Sequence, residues 1–236
     1  MGRDHVRQPP VIAPEPVPVD DPGVWEKWDP CGNARTFRGT TFTAHVVPDS
    51  PFHLLGRRIL EDIRAEGIGE DYGLLPLSSL HMTVLDVCVE QDRAAWPSWL
   101  QDSPDFPTVV RRQLDRVISS GIRGPGVLRM APVTVWPLDW ALSIRLAPAD
   151  ETTTAELTRF RTEMAEVLEI PLQTDYEFHS SLGYRLTRWA SETSRLDRLT
   201  ERHRSWAAEV PEVDLAPVAF NVFDDMLAFP PLYYLP

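Results

Sequence analysis

The sequence predicts an α+β protein built as two pseudo-symmetric lobes, each a small, largely antiparallel sheet backed by helices. Three observations lead there. Apolar residues alternate between strand and helix periods along the chain. The order strand, helix, strand, helix, strand occurs twice. Matching landmarks recur at near-constant offsets: His179 follows His81 by 98 residues, and Pro148 follows Pro48 by 100. The "APV" at 131–133 recurs at 216–218, an offset of 85 that fits a shorter connection in the second half.

Residues 1–24 are rich in proline and lack apolar periodicity, so they read as a disordered, polyproline-like arm, and deletion of residues 1–22 is expected to leave folding and turnover nearly unchanged. Residues 25–236 read as the bilobal domain, with lobe 1 over about 37–137 and lobe 2 over about 138–236. The stretch 25–41 is turn-rich, with Asp29-Pro30 and Gly32-Asn33, and leads into a strand at "TTFTAHVVP" (40–48). "PFHLLGRRILEDIRAEG" (51–67) has helical spacing at Leu55, Ile59 and Ile63 and stops at Gly67. A strand at "SLHMTVLDVCV" (79–89), a helix at 105–121 ending on Gly121 and a strand at 127–137 complete the first copy.

The second copy begins with a strand at "WALSIRLAP" (140–148) and a helix at 150–170 opened by Asp150. A strand at "EFHSSLGYRL" (177–186), a helix at 191–209 capped by Ser191 and a strand at 213–223 follow. The apolar stretch 226–235 reads as closing a hairpin.

Composition removes several classes. The 43% hydrophobic and 25% charged fractions are those of an ordinary globular protein. No apolar run approaches the roughly 20 residues of a membrane span, and the N-terminus has no apolar signal core, so a cytoplasmic location is expected. Cys31 and Cys88 form no C-x-x-C pair and read as reduced thiols. Arginine supplies all but one of the 23 basic residues, which reads as the codon bias of a GC-rich, bacterial genome. The net charge of −12 opposes a broad nucleic-acid face, because long nucleic acids are held largely by phosphate neutralisation. A small anionic substrate in a locally positive cleft is compatible with it, and a monomer is expected.

The chemistry lies in "HMTV" (81–84) and "HSSL" (179–182). Each is a histidine in an extended segment, followed two residues later by an alcohol: His81 with Thr83, and His179 with Ser181. Side chains two apart on a strand share a face, so simple alternation groups His81 with Thr83, Leu85 and Val87, and His179 with Ser181, Gly183 and Arg185. Tyr184 then points to the core. Two imidazoles facing one cleft suit a reaction needing base and acid together, and the hydroxyls suit the non-bridging oxygens of a phosphate. This is a site for phosphodiester cleavage without a metal or cofactor. His45 and Arg145 occupy equivalent places beside the two motifs and, with Arg185, are further candidates for substrate contact. The eight tryptophans read as packing lobes and loops. There is no G-x-S-x-G elbow, H-E-x-x-H helix or P-loop.

The motif pair resembles the 2H phosphoesterase superfamily, defined by two His-x-Thr/Ser-x-hydrophobic motifs on an internally duplicated, bilobal fold. The likeness covers about residues 37–236, and "LLPLSSLHMTV" with "DPCGNARTFRGTTF" resembles an uncharacterised bacterial branch. The resemblance implies hydrolysis or transfer at a 2′,3′-cyclic phosphate or related phosphodiester of a nucleotide or short RNA end. A non-catalytic nucleotide-binding module and an RNA-end transferase or ligase remain open at this point. So do the exact ester, the 2′- or 3′-phosphate product, and which histidine is acid and which base.

Overall fold

The computed structural model describes residues 17–188 and 193–236; most of the proline-rich arm (1–16) and the expected Ser191 cap lie outside the described residues. The elements run β1 (Val17–Pro18), α1 (Pro22–Lys27), β2 (Gly39–His45), α2 (Pro51–Ala65), β3 (Tyr72–Leu74), β4 (His81–Val89), α3 (Phe106–Ser120), β5 (Met130–Val135), β6 (Ala141–Pro148), α4 (Glu151–Leu168), β7 (His179–Arg185), β8 (Thr187–Arg188), α5 (Thr193–Ala208), β9 (Ala219–Phe223) and β10 (Pro231–Tyr234).

The helices begin where local chemistry caps them. Ser50, Asp105 and Asp150 each accept a hydrogen bond from the backbone N–H three residues on, satisfying a donor that the first turn leaves unpaired. Proline at the first turn of α2 and near the start of α3 loses no bond there. Gly121 ends α3 in the left-handed region at φ 63°, which costs glycine little. Inward faces follow the helical period: Leu55, Ile59 and Ile63 of α2 are all buried.

Two four-stranded antiparallel sheets result, ordered β10-β9-β2-β4 and β3-β7-β6-β5, with a small β1-β8 pair beside them. The lobes are therefore not consecutive halves of the chain. β5, expected in lobe 1, pairs with β6 through a short hairpin, and β3 pairs with β7. β9 and β10, expected in lobe 2, pair with β2 and with each other. One continuous core joins both sheets: Phe42, Met82 and Val84 from the first, Ile144, Leu146 and Leu182 from the second, and Phe160 and Met164 from α4. The backbone of a strand such as β9 can be satisfied by any antiparallel neighbour, so apolar burial decides the partner.

Residues 17–24 are not the solvated arm that composition suggested. Val19 is 5% exposed and its N–H donates to Leu186 O at 2.9 Å, while Val24 lies in a second apolar cluster with Trp28, Phe37 and Leu186. Proline content hid three apolar residues that find a second hydrophobic surface. Trp28, 2% exposed, is seated against Gly73, where any Cβ would stand 2.5 Å from the indole. Gly73→Ala is expected to destabilise the protein by about 1–3 kcal/mol, the usual cost of overpacking, measurable by urea denaturation. An unchanged midpoint would contradict this packing.

Candidate active site

His81 and His179 open β4 and β7 and are anchored by the same device. The Nδ1–H of His81 donates to the carbonyl of Ser79 at 2.6 Å, and that of His179 donates to the carbonyl of Glu177 at 2.9 Å. A carbonyl only accepts, so Nδ1 must carry the proton in both rings. Each ring thus offers Nε2, as a lone pair when neutral and as N–H when protonated. Each ring also has an aromatic neighbour: Phe229 at 4.1 Å from His81 and Trp136 at 4.8 Å from His179. The strands meet where Ser180 Oγ donates to His81 O at 2.8 Å, so the middle residue of one motif ties directly to the other.

Both histidines, with Thr83 and Ser181, line one cavity of about 380 Å³, within the range of small-molecule sites. Ser181 Oγ accepts from Ser143 Oγ at 3.1 Å, which leaves its own proton for a ligand. The Tyr176 phenol hydrogen-bonds the side chain of Thr83 and is kept neutral by burial, which pushes its pKa up. Burial also lowers the pKa of His81 to about 4, with the charges of His45 and His179 adding to that effect and the Ser79 bond opposing it. His81 is therefore neutral near pH 7. The carboxylate of Asp86 faces His179, Lys27 and Arg161 in turn, and burial raises its pKa. Among the described residues no group of three or more His, Cys, Asp or Glu could hold a metal ion.

Simple alternation fails beyond the alcohols, in the same way in both copies. A β-bulge breaks the β2–β4 register between Phe42/Leu85 and Thr43/Thr83, and another breaks β6–β7 between Leu142/Gly183 and Ser143/Ser181. The extra residue reverses the phase of the pleat. Leu85 turns into the core and Asp86 into the cavity; Tyr184 enters the cavity and Arg185 turns away. Asp86 and Tyr184 each lie five residues after their motif histidine and are equivalent positions of the repeat. Arg185 is corrected as a substrate contact: it is 2% exposed, and its Nη1 donates to the Tyr72 hydroxyl at 2.8 Å in the core.

His45 and Arg145 do sit opposite His81 and His179 in the ladders, but neither lines the cavity. His45 Nε2–H donates to Phe229 O at 2.9 Å, steadying the ring beside His81. Arg145 pairs at 2.8 Å with Glu177, whose carbonyl anchors His179. Each buttresses the residue that orients a motif histidine. Sequence reasoning missed Lys27, Asp86, Tyr176 and Tyr184, which line the cavity, and Phe229 and Trp136, which flank the histidines. Both cysteines are free; Cys88 is buried, with its thiol pushed up to about 12, and is unreactive.

Comparison with known proteins agrees with this geometry. The family model 2H-phosphodiest, described as a domain of unknown function (DUF1868), matches residues 27–123, which contain the first motif. A conserved protein of unknown function from Agrobacterium tumefaciens str. C58 shares the fold at a TM-score of 0.76 and 22% identity, over 88% of this chain and 90% of that one. No curated protein matches the chain. No helix among the described residues is long and apolar enough to cross a membrane. Over residues 27–123 the chain is thus similar to the family 2H-phosphodiest, and the fold that brings its two His-x-Thr/Ser strands to one cavity is the fold of the Agrobacterium protein.

Proposed function

We propose that the protein is a metal-independent phosphodiesterase that hydrolyses the 2′,3′-cyclic phosphate, or a related phosphodiester, of a nucleotide or short RNA end. The observation that carries this reading is the pair of Nδ1-anchored imidazoles, each with a hydroxyl two residues on, lining one cavity. His81, neutral through burial, takes a proton from water on its Nε2 lone pair. The water oxygen bonds to phosphorus and the bond to one ribose oxygen breaks. That oxygen leaves with the Nε2 proton of His179, whose cationic form has a counter-charge in Asp86. Thr83 and Ser181 donate to the non-bridging oxygens, where negative charge builds in the transition state. Solvent exchange restores both rings.

The test is a pH–rate profile for 2′,3′-cyclic nucleotides with EDTA present. A base must be unprotonated to act, so kcat/KM is expected to rise as pH passes upward through about 4, the value for His81. The same shift makes stability fall as pH drops from the ordinary imidazole range toward 4, because the unfolded chain then binds a proton that the folded one excludes. Loss of turnover in EDTA would overturn the metal-free reading. An acid limb near 6.5 would remove His81 from the role of base.

A further inference from the structure

The cavity extends along β4 beyond the two motif histidines. Its floor follows β4 from His81 through Thr83 and Asp86 to Val89. Five residues separate His81 from Asp86, which is roughly 16 Å of extended chain before the bulges shorten it. Beside that remote end stands Lys27, the single lysine of the chain.

Lys27 is the last residue of α1, and its neighbour Trp28 is locked against Gly73, so the lysine is presented by an anchored segment. Its ammonium lies 5.2 Å from the centre of the Phe37 ring and 5.4 Å from that of Tyr184. Among the described residues no carboxylate lies within 4.0 Å of it, whereas Arg38, Arg145 and Arg202 all make ion pairs. Asp86, Asp21 and Glu26 act on it only from farther away, and burial lowers its pKa. Asp86, the first of these, also acts on His179 and Arg161, so its charge is shared among three cations. An ammonium steadied by two ring faces but not neutralised, inside a cavity built for a phosphate, is matched by a second anion.

We infer that Lys27 binds a second phosphate of the substrate, remote from the scissile one, so that the cavity selects a cyclic phosphodiester also phosphorylated at its 5′ oxygen. This rests on the hydrolytic reading above for the position of the first phosphate. Lys27 is then a specificity residue: it adds affinity for the doubly charged substrate and takes no part in proton transfer.

The test is calorimetric binding of product-like pairs: adenosine 3′-phosphate against adenosine 3′,5′-bisphosphate, and the corresponding 2′ pair. The wild-type protein is expected to bind the bisphosphate of at least one pair about tenfold more tightly, the effect of one charge-assisted contact. Lys27→Met, which keeps an unbranched stem over the rings, is expected to abolish that preference while binding the monophosphate as before. Lys27→Arg is expected to keep it. Equal binding of mono- and bisphosphates by the wild-type protein, no binding of any of the four, or a preference that survives in Lys27→Met would overturn the inference. Turnover of adenosine 2′,3′-cyclic phosphate is measured on the same wild-type preparation. A Lys27-dependent preference without turnover overturns the hydrolytic reading alone, and turnover without the preference overturns this inference alone.

Discussion

Replacing His81 or His179 with alanine is expected to lower kcat for a cyclic phosphodiester by on the order of 10²–10⁴-fold, the range for loss of a general acid or base. KM is expected to change little, because Thr83, Ser181 and the cavity walls remain in place. The double variant is expected to lose less than the product of the single losses, since a base without its acid partner retains little advantage. Thr83→Ala and Ser181→Ala each remove one donor to the phosphate and no proton transfer, so a smaller loss, on the order of 10–10³-fold, is expected. Steady-state kinetics on variants shown to be folded by circular dichroism read all five. Equal losses for Thr83 and His81 would mean that the histidine holds the phosphate and moves no proton.

Phe42→Ala is expected to cost about 3–5 kcal/mol of stability, a large share of the 5–15 kcal/mol typical of a folded domain. Phe42 is fully buried in β2, with Phe160 of α4 edge-on at 5.3 Å and Phe220 of β9 at 5.2 Å. It packs where a strand from late in the chain crosses to a sheet begun early, so its removal opens a cavity at the junction of the two parts. The denaturant midpoint is expected to fall at nearly constant slope. A cost under about 1 kcal/mol would mean that the crossing strand is held by its ladder alone.

Local signals in the chain were legible because they are local. Asp105, Asp150, Gly67 and Gly121 bound their helices where their side chains or φ angles require it. The repeat was legible as well: His45 and Arg145 were read as equivalent and do face His81 and His179 across their ladders. Three things were not. The exchange of β5 and β9 between sheets depends on long-range pairing that leaves no pattern within either strand. The paired bulges depend on an extra residue opposite β2 and β6; in "TVLDV" nothing marks Leu85 as the residue that turns inward and brings Asp86 to the phosphate side. Residues 17–24 read as solvated because the segment 1–24 is rich in proline and has no apolar period, although Val19 and Val24, with Trp28, suffice to seat it and present Lys27. The chemistry-bearing pairs were thus visible, whereas the residues that shape the cavity around them depend on tertiary contacts.

The most direct measurement is 31P NMR of a nucleoside 2′,3′-cyclic phosphate incubated with the protein in 18O-enriched water and EDTA. A single phosphomonoester resonance carrying the isotope shift of one 18O is expected, at a rate that falls at least about 100-fold when His81→Ala or His179→Ala replaces the wild-type protein. No conversion by the wild-type protein, conversion without isotope uptake, or an undiminished rate with either folded variant would contradict two-histidine hydrolysis.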